Sequence, residues 1–198
     1  MESTFRFPDK PTTSSEGVLT TLRDGDWLAQ AKYDGWRALV EWDGTRALLT
    51  SRHQEIIPAS QTLLAEIAEA LAPLPPCLLD GEWMGRRDGQ PESLWLFDLL
   101  AIEGTWLGNV GAAERFARFC RVPWPKIPDP GPRVKLVECV TSGYIEFFQY
   151  SKRLPGCEGI VLKHKDSKFI GSVRKCVDNP LWLKAKWRDG ADGQVLVA

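Results

Sequence analysis

The fold is decided by residues 26–52, which read DWLAQAKYDGWRALVEWDGTRALLTSR. Two apolar stretches, Arg37–Trp42 and Arg46–Thr50, flank the dipeptide Asp43-Gly44. Asp-Gly between two such runs is a strong hairpin signal, since a type I′ turn needs positive φ at both central residues. With a third strand at Asp26–Lys32, the stretch predicts antiparallel β structure.

The rest of the chain favours the same architecture. Further strands are predicted at Cys77–Met84, Leu94–Ile102, Val134–Val140, Gly159–His164, Trp182–Trp187 and Gln194–Val197. Helices are predicted at Ser60–Leu71, residues 111–121 and Thr141–Lys152. Because strands outnumber helices and are joined by hairpins, we expect an α+β fold with antiparallel β-sheets flanked by helices. Residues 1–16 are polar and rich in Pro, Ser and Thr, and predict a loosely held N-terminal arm before one domain at 17–198.

Composition excludes several classes of protein. No apolar run approaches the roughly 20 residues that span a bilayer, and no signal peptide begins the chain, so we expect a soluble cytoplasmic protein without a membrane partner. The 5 cysteines occur singly and there are only 2 histidines, which argues against a structural zinc site. The formal net charge of −1 means that a nucleic-acid surface would have to be a local patch.

A first candidate site is the run Lys32-Tyr33-Asp34-Gly35-Trp36-Arg37. A lysine at the end of a strand, followed by a turn, can present its amine to a cleft. Neighbouring positive charge or desolvation favours the neutral amine that a nucleophile needs. Taken alone, the run is better explained by a surface lysine beside an Asp-Gly turn.

Further along the chain, four short segments carry side chains suited to nucleotide chemistry. Glu82 and Glu158 are carboxylates able to hold a divalent metal, or else solvated strand ends. Phe97 is an aromatic platform or a core residue. Alternation places Lys184 and Lys186 on one side of a strand, where both can meet one phosphate or simply form a polar face. Together with a lysine nucleophile, this set meets the needs of nucleotidyl transfer from a triphosphate.

In order and wording, these segments resemble the motifs of the covalent nucleotidyltransferases, which comprise ATP-dependent DNA ligases, RNA ligases and mRNA capping enzymes. The six matching segments are Lys32–Arg37 (KxDGxR), Ser51-Arg52 (SR), Asp80–Glu82 (DGE), Phe97–Leu100 (FDLL), Glu158–Lys163 (EGxxxK) and Trp182–Lys186 (WLKxK). The resemblance runs from about residue 26 to residue 188. It implies the ligase-type nucleotidyltransferase (adenylation) domain fold.

The resemblance also implies a role for each residue. Lys32 would attack the α-phosphorus of ATP and hold AMP as a phosphoramidate, while Glu82 and Glu158 would bind Mg²⁺ or Mn²⁺. Gln30 stands where DNA ligases usually carry a glutamate that binds the adenine amino group, and its carbonyl could accept that hydrogen bond. The predicted nucleotide-binding residues are Gln30, Arg37, Arg52, Glu82, Phe97, Lys163, Lys184 and Lys186.

The function implied is that of an ATP-dependent polynucleotide ligase that seals 5′-phosphate/3′-hydroxyl nicks in duplex DNA. An RNA ligase is the alternative, and a capping-type guanylyltransferase or a non-catalytic nucleic-acid-binding relic is less favoured. Arg37 at the end of its motif favours DNA, because many RNA ligases have Ser-Asn there. Family DNA ligases continue into an OB-fold domain after WLKxK. The sequence ends about a dozen residues after Lys186, so we expect no OB-fold here. We expect either a minimal ligase or a catalytic subunit whose grip on the nicked duplex, of DNA or containing RNA, comes from a separate DNA-binding protein or subunit.

Overall fold

The computed structural model describes residues 7–85, 91–122, 124, 133–172 and 174–187. The elements in chain order are β1 (Lys10–Thr13), α1 (Glu16–Leu19), β2 (Trp27–Tyr33), β3 (Trp36–Trp42), β4 (Ala47–Ser51), α2 (Gln61–Leu71), β5 (Cys77–Met84), β6 (Ser93–Ile102), β7 (Thr105–Trp106), α3 (Ala112–Arg121), β8 (Val134–Leu136), β9 (Cys139–Val140), α4 (Tyr144–Ser151), β10 (Cys157–His164) and β11 (Asp178–Lys186).

Two sheets organise these elements. The first sheet has the strand order β1-β11-β10-β2-β9, and the second has the order β4-β3-β5-β6-β7 with β8 beside β6. All pairings are antiparallel except β1 with β11 and β6 with β8. The predicted α+β class with antiparallel sheets is therefore confirmed.

Apolar side chains bind the helices and sheets together in three clusters. The outer face of the second sheet packs on α2, where Leu63 and Ile67 are fully buried. On the first sheet, Ile160 belongs to the same buried cluster as Phe148 of α4. A smaller cluster joins the two sheets and includes Trp182 of β11. Because the inner faces of both sheets meet at this cluster, polar residues on those faces border a common cleft.

The predicted N-terminal arm is wrong for residues 7–16. Lys10–Thr13 form an edge strand parallel to β11, and Asp9 is fully buried. Proline lacks a backbone N–H and is tolerated at sheet edges, so Pro11 can occupy this strand. A short strand of proline, lysine and threonine lacks the apolar alternation that marks strands in a sequence.

Two local predictions also need correction. The Asp43-Gly44 hairpin exists, but its loop spans four residues. The Asp43 carboxylate accepts from the backbone N–H groups of Thr45 and Arg46 at 2.7 Å, and only Gly44 in the loop has positive φ, so the turn is not type I′. Val134–Val140 forms two strands, β8 and β9, which belong to different sheets. The predicted strand Gln194–Val197 lies outside the described residues.

Among the described residues, no helix is long and apolar enough to cross a membrane.

Candidate active site

Three neighbouring strands of the first sheet, β2, β10 and β11, present their polar residues on one face. The two rows of residues that pair across them are Gln30–Val161–Lys184 and Lys32–Gly159–Lys186. Residues in register across a sheet point to the same side, so these side chains share a surface. The prediction that Lys184 and Lys186 lie on the same side of a strand agrees with this register.

Gly159 allows β10 and β11 to approach each other closely in the row Lys32–Gly159–Lys186. A Cβ at this position would lie 2.1 Å from the backbone oxygen of Ala185 and 2.8 Å from the Cα of Lys186. Only glycine fits between backbones at such a spacing. The close approach lets side chains from β2 and β11 reach the carboxylate of the preceding residue, Glu158.

Glu158 lies between two lysines. One carboxylate oxygen accepts from Lys32 Nζ and the other accepts from Lys186 Nζ at 2.8 Å, while Glu158 itself is only 2% exposed. Burial opposes ionisation, but the charges and hydrogen bonds of the two ammonium groups outweigh it and hold the pKa of Glu158 below its usual value. Lys32 is thus fixed at the edge of the cleft by a carboxylate 126 residues away along the chain.

The second sheet contributes Arg37 and Glu82, which are cross-strand neighbours on β3 and β5. Arg37 makes a two-pronged ion pair with the buried Asp80, including Nε to Oδ1 at 2.8 Å, and also donates to the backbone oxygen of Asp9 at 2.6 Å. The Glu82 carboxylate accepts from the N–H of Gly35 at 3.1 Å. Burial raises the pKa of Glu82 to about 7, against the opposing charges of Lys32 and Arg37.

An aromatic wall formed by Phe97 and Trp182 lies beside these charges. Lys163 Nζ lies 5.0 Å from the centre of the Phe97 ring and 4.7 Å from that of Trp182, within the range of cation–π attraction. Lys163 is itself buried and ion-paired with Asp98 at 3.0 Å, and Asp98 also accepts from Arg115 at 3.1 Å. Burial and the charge of Arg115 lower the pKa of Lys163 despite the Asp98 carboxylate. Lys163 therefore lines the cleft together with the two rings and is held in place by Asp98.

Gln30 has a fixed amide orientation. Its Nε2 donates to the backbone oxygen of Phe97 at 2.9 Å, and the residue is only 4% exposed. Since a carbonyl oxygen cannot donate, the amide nitrogen must face Phe97 and the amide oxygen faces away from it. Among the described residues, no group donates to that oxygen, so it is available to a ligand.

The cleft enclosed by these residues has a volume of about 250 Å³. It brings together most of the predicted site, and the predicted residues that line it are Gln30, Lys32, Arg37, Arg52, Glu82, Phe97, Lys163 and Lys184. Lys186 and Glu158 stand next to Lys32 without lining the cleft. Arg52 is exposed at the rim, where its Nε donates to His53 at 3.1 Å.

One wall of the cleft was missed by the sequence analysis. Pro8, Lys10 and Pro11 line it, and the carboxylate of Asp9 anchors this segment. That carboxylate accepts from the N–H groups of Ile170 and Gly171 at 2.8 Å and from Asn179 Nδ2 at 2.7 Å. An aspartate inside a stretch of proline and threonine carries no sequence signal for such a role. Asp80, which pairs with Arg37, lies in the segment Asp80–Glu82, where the resemblance implies a role for Glu82 alone.

Side chains able to bind a metal do not form a cluster in the described part of the chain. It contains no group of three or more His, Cys, Asp or Glu side chains that could hold an ion. Glu158 contacts Lys32 directly, and Glu82 is near enough to respond to its charge. A divalent cation at this cleft would therefore take one or two carboxylates from the protein and its other ligands from phosphates and water, which suits Mg²⁺.

Comparison with known proteins agrees with this geometry. Residues 9–94 match the family model described as the ATP dependent DNA ligase domain. The ligase domain of M. tuberculosis LigD superposes with a TM-score of 0.73 at 24% identity, over 94% of this chain and 61% of that one. The chain has the fold of the adenylation domain of ATP-dependent DNA ligases. The resemblance drawn from the motifs and the predicted fold class are both confirmed.

Other solved ligases give the same result. A mycobacterial DNA ligase D complexed with ATP and MES matches with a TM-score of 0.72 at 24% identity, over 95% of this chain and 62% of that one. The Chlorella virus DNA ligase-adenylate matches with a TM-score of 0.57 at 19% identity, over 91% and 68% of the two chains. The chain thus spans just over 60% of the length of the mycobacterial ligases. No curated protein matches the sequence.

Proposed function

We propose that this chain is the catalytic part of an ATP-dependent DNA ligase, with Lys32 as the residue that becomes adenylylated. The observation that carries the proposal is the position of Lys32, which lines the cleft beside Lys184 and is held by Glu158 together with Lys186. One end of the cleft thus offers a cluster of cations for phosphates. The other end offers an aromatic wall and a fixed amide for a base.

The first step of the reaction follows from this layout. The neutral amine of Lys32, after losing a proton, attacks the α-phosphorus of ATP. The bond from that phosphorus to the bridging oxygen of pyrophosphate breaks, and a lysyl-AMP phosphoramidate forms. Lys184 and Lys186 lie where their charge can offset the negative charge that develops on the phosphoryl oxygens. AMP then passes to a 5′-phosphate, and a 3′-hydroxyl displaces it to close the nick.

Adenine is favoured by the orientation of Gln30. The free amide oxygen is an acceptor, and the amino group of adenine is a donor, whereas guanine has an acceptor oxygen at the equivalent position. Guanine would therefore place two acceptors face to face in a nearly closed site. Leaving such a pair unsatisfied costs about 1–3 kcal/mol, which is about 5- to 150-fold in binding.

A divalent cation, Mg²⁺ or Mn²⁺, would be held by Glu158 and Glu82 together with the nucleotide. When bound, it would supply positive charge to the triphosphate. Removal of the cation by EDTA should abolish AMP transfer, and restoration of Mg²⁺ in excess should recover it. Full adenylylation in EDTA would contradict the metal assignment while leaving Lys32 in place.

The decisive experiment is incubation with ATP labelled at the α-phosphate, followed by a denaturing gel. The chain should retain the label, Lys32→Arg should not, and the surface variant Lys168→Arg should label normally. GTP labelled in the same way should give at least several-fold less product. Chasing the labelled chain with nicked duplexes of DNA, or with RNA on either side of the nick, then reports the preferred substrate. An adduct on Lys32→Arg would remove Lys32 from the proposed role.

A further inference from the structure

The second sheet carries an exposed aromatic pair on the face that points away from the cleft. Trp36 is the only exposed tryptophan in the described part of the chain, with 59% of its surface accessible. It is the cross-strand neighbour of Trp83, and the two rings meet edge to face with their centroids 5.6 Å apart. Arg37 lines the cleft, and successive residues of a strand point to opposite faces, so Trp36 points outward. We call Trp36 and Trp83 the aromatic platform.

The platform is fixed by a buried carboxylate. Trp83 Nε1 donates to Glu92 at 2.7 Å, and Glu92, which is only 5% exposed, also accepts from the backbone N–H of Ser60 at 3.1 Å. A Cβ on Gly35 would lie 2.5 Å from the backbone oxygen of Trp83, so glycine lets the two strands meet closely beside the platform. The exposed indole of Trp36 therefore leans on a ring that is already held in place, which reduces the entropy lost when a ligand binds.

The loop Lys152–Gly156, which follows α4, lies beside the platform. The backbone oxygen of Gly156 accepts from the N–H of Asp34 at 2.9 Å, two residues before Trp36. A Cβ on Gly156 would lie 3.1 Å from Cε of Met84, which is at the end of β5. The loop therefore contacts residues at the ends of both strands that carry the platform.

This loop brings positive charge to the platform. Its sequence is KRLPG, which contains two cations and no carboxylate. Lys152 and Arg153 are both exposed, and neither takes part in an ion pair among the described residues. With the Asp34 carboxylate of the adjoining turn, two positive charges and one negative charge leave +1 at this corner. An exposed aromatic face beside cations suits a ligand that combines a flat ring with a phosphate, as a nucleotide of a single strand does.

We propose that the aromatic platform stacks on an unpaired base of the nucleic acid, beside the end that is joined. The inference rests on the proposed function, and it places that base near Lys32, which precedes Trp36 by 4 residues. Bases within a duplex are stacked on one another, so an indole can stack only on a base that is unpaired or at the end of a helix. The preferred substrate would therefore carry unpaired nucleotides beside the joint, as an overhang does.

The test measures how much an unpaired base contributes to binding. Duplexes with a short overhang, at the 5′ or the 3′ end, would be compared with the same duplexes in which abasic sugars replace the unpaired bases. Affinities would be measured by fluorescence anisotropy, without ATP, for the wild type, Trp36→Leu and Trp36→Phe. Leucine keeps an apolar surface but has no π face, whereas phenylalanine keeps one, so Trp36→Phe is the matched control.

For one of the two overhangs, the wild type should bind the duplex with bases about 5- to 150-fold more tightly than its abasic counterpart. Trp36→Phe should keep most of this preference, and Trp36→Leu should bind the two duplexes equally. Arg153→Gln removes charge but no ring, so it should weaken binding of both duplexes by a similar factor. The wild-type comparison needs no variant, and thermal melting would verify that the variants are folded.

Three results would overturn the proposal. Equal binding of both duplexes by the wild type would mean that no base stacks on the chain. A preference that survives in Trp36→Leu would place the stacked base elsewhere. Self-association of the wild type that is lost in Trp36→Leu, without any preference for bases, would assign the platform to a second copy of the chain. Failure of the wild type to form lysyl-AMP would count against the proposed function instead, and the binding comparison would still report on the platform.

Discussion

Asp9 anchors the N-terminal wall of the cleft, so its replacement by asparagine should cost both stability and nucleotide affinity. The substitution keeps the size of the side chain but converts one oxygen into an NH₂ group. If the remaining oxygen faces Ile170 and Asn179, the N–H of Gly171 loses its acceptor and meets another donor. The position is fully buried, so water cannot replace the lost bond.

The expected loss in the free energy of unfolding follows from the three hydrogen bonds that the Asp9 carboxylate accepts. A buried donor without an acceptor costs about 1–3 kcal/mol, and each of the two remaining bonds loses about 1 kcal/mol on changing from a charged to a neutral acceptor. The free energy of unfolding should therefore fall by about 3–5 kcal/mol, a large share of the 5–15 kcal/mol typical of a domain. Urea denaturation of the wild type and Asp9→Asn measures this difference.

Asp178→Asn is the matched control for this change. Asp178 lies on the neighbouring strand in an exposed pair with Lys10, so its loss should cost at most about 1 kcal/mol. Because the backbone oxygen of Asp9 holds Arg37, Asp9→Asn should also raise the KM for ATP more than it lowers the rate at saturating ATP. A stability loss for Asp9→Asn no larger than that of Asp178→Asn would refute this account of the wall.

Three other substitutions or treatments test separate features. Gly159→Ala places a Cβ 2.1 Å from a backbone oxygen of β11, so urea denaturation should show a loss of at least 1–3 kcal/mol together with weaker adenylylation. Arg115→Leu leaves the buried Asp98 carboxylate with Lys163 as its partner, so the free energy of unfolding should fall by about 3–5 kcal/mol in the same assay. Arg118→Leu on the exposed side of α3 is the control and should lower it by at most about 1 kcal/mol. Burial raises the pKa of the Cys77 thiol to about 12, so iodoacetamide at pH 8 should spare it until the chain unfolds, while the exposed Cys120 reacts first in a mass-spectrometric time course.

Local sequence was sufficient to predict most strands of the second sheet, and the motifs identified most of the residues that line the cleft. Strand alternation correctly placed Lys184 and Lys186 on one face, because the side-chain period of a strand is a property of its backbone. The hairpin around Asp43 was found, although its loop is longer than the dipeptide suggested. In each case the deciding interactions lie within a few residues of one another.

Pairing between strands that are distant in the chain could not be predicted from the alternation of apolar and polar residues. Alternation shows that a segment is a strand, but it cannot show which sheet the strand joins. The pattern of Val134–Val140 therefore predicts one strand, whereas the segment forms two strands in different sheets. The strand at Lys10–Thr13 depends on pairing with β11, far away in the chain, and has little apolar character of its own. The contact between Lys32 and Glu158 likewise depends on strand register, which only the folded sheet fixes.

The distribution of buried charge explains why the cleft suits an anion. Asp98 is shared by Lys163 and Arg115, and Glu158 is shared by Lys32 and Lys186, so each of these two carboxylates faces two cations. Lys184 lies near Lys32 and Lys186, and burial together with their charges lowers its pKa, so that its protonated form is less favoured than in water. A phosphate placed among these lysines would remove the repulsion that folding creates. If the nucleotide binds here as proposed, its phosphates should stabilise the folded chain, and substitution of these lysines should change nucleotide affinity and ligand-dependent stability together.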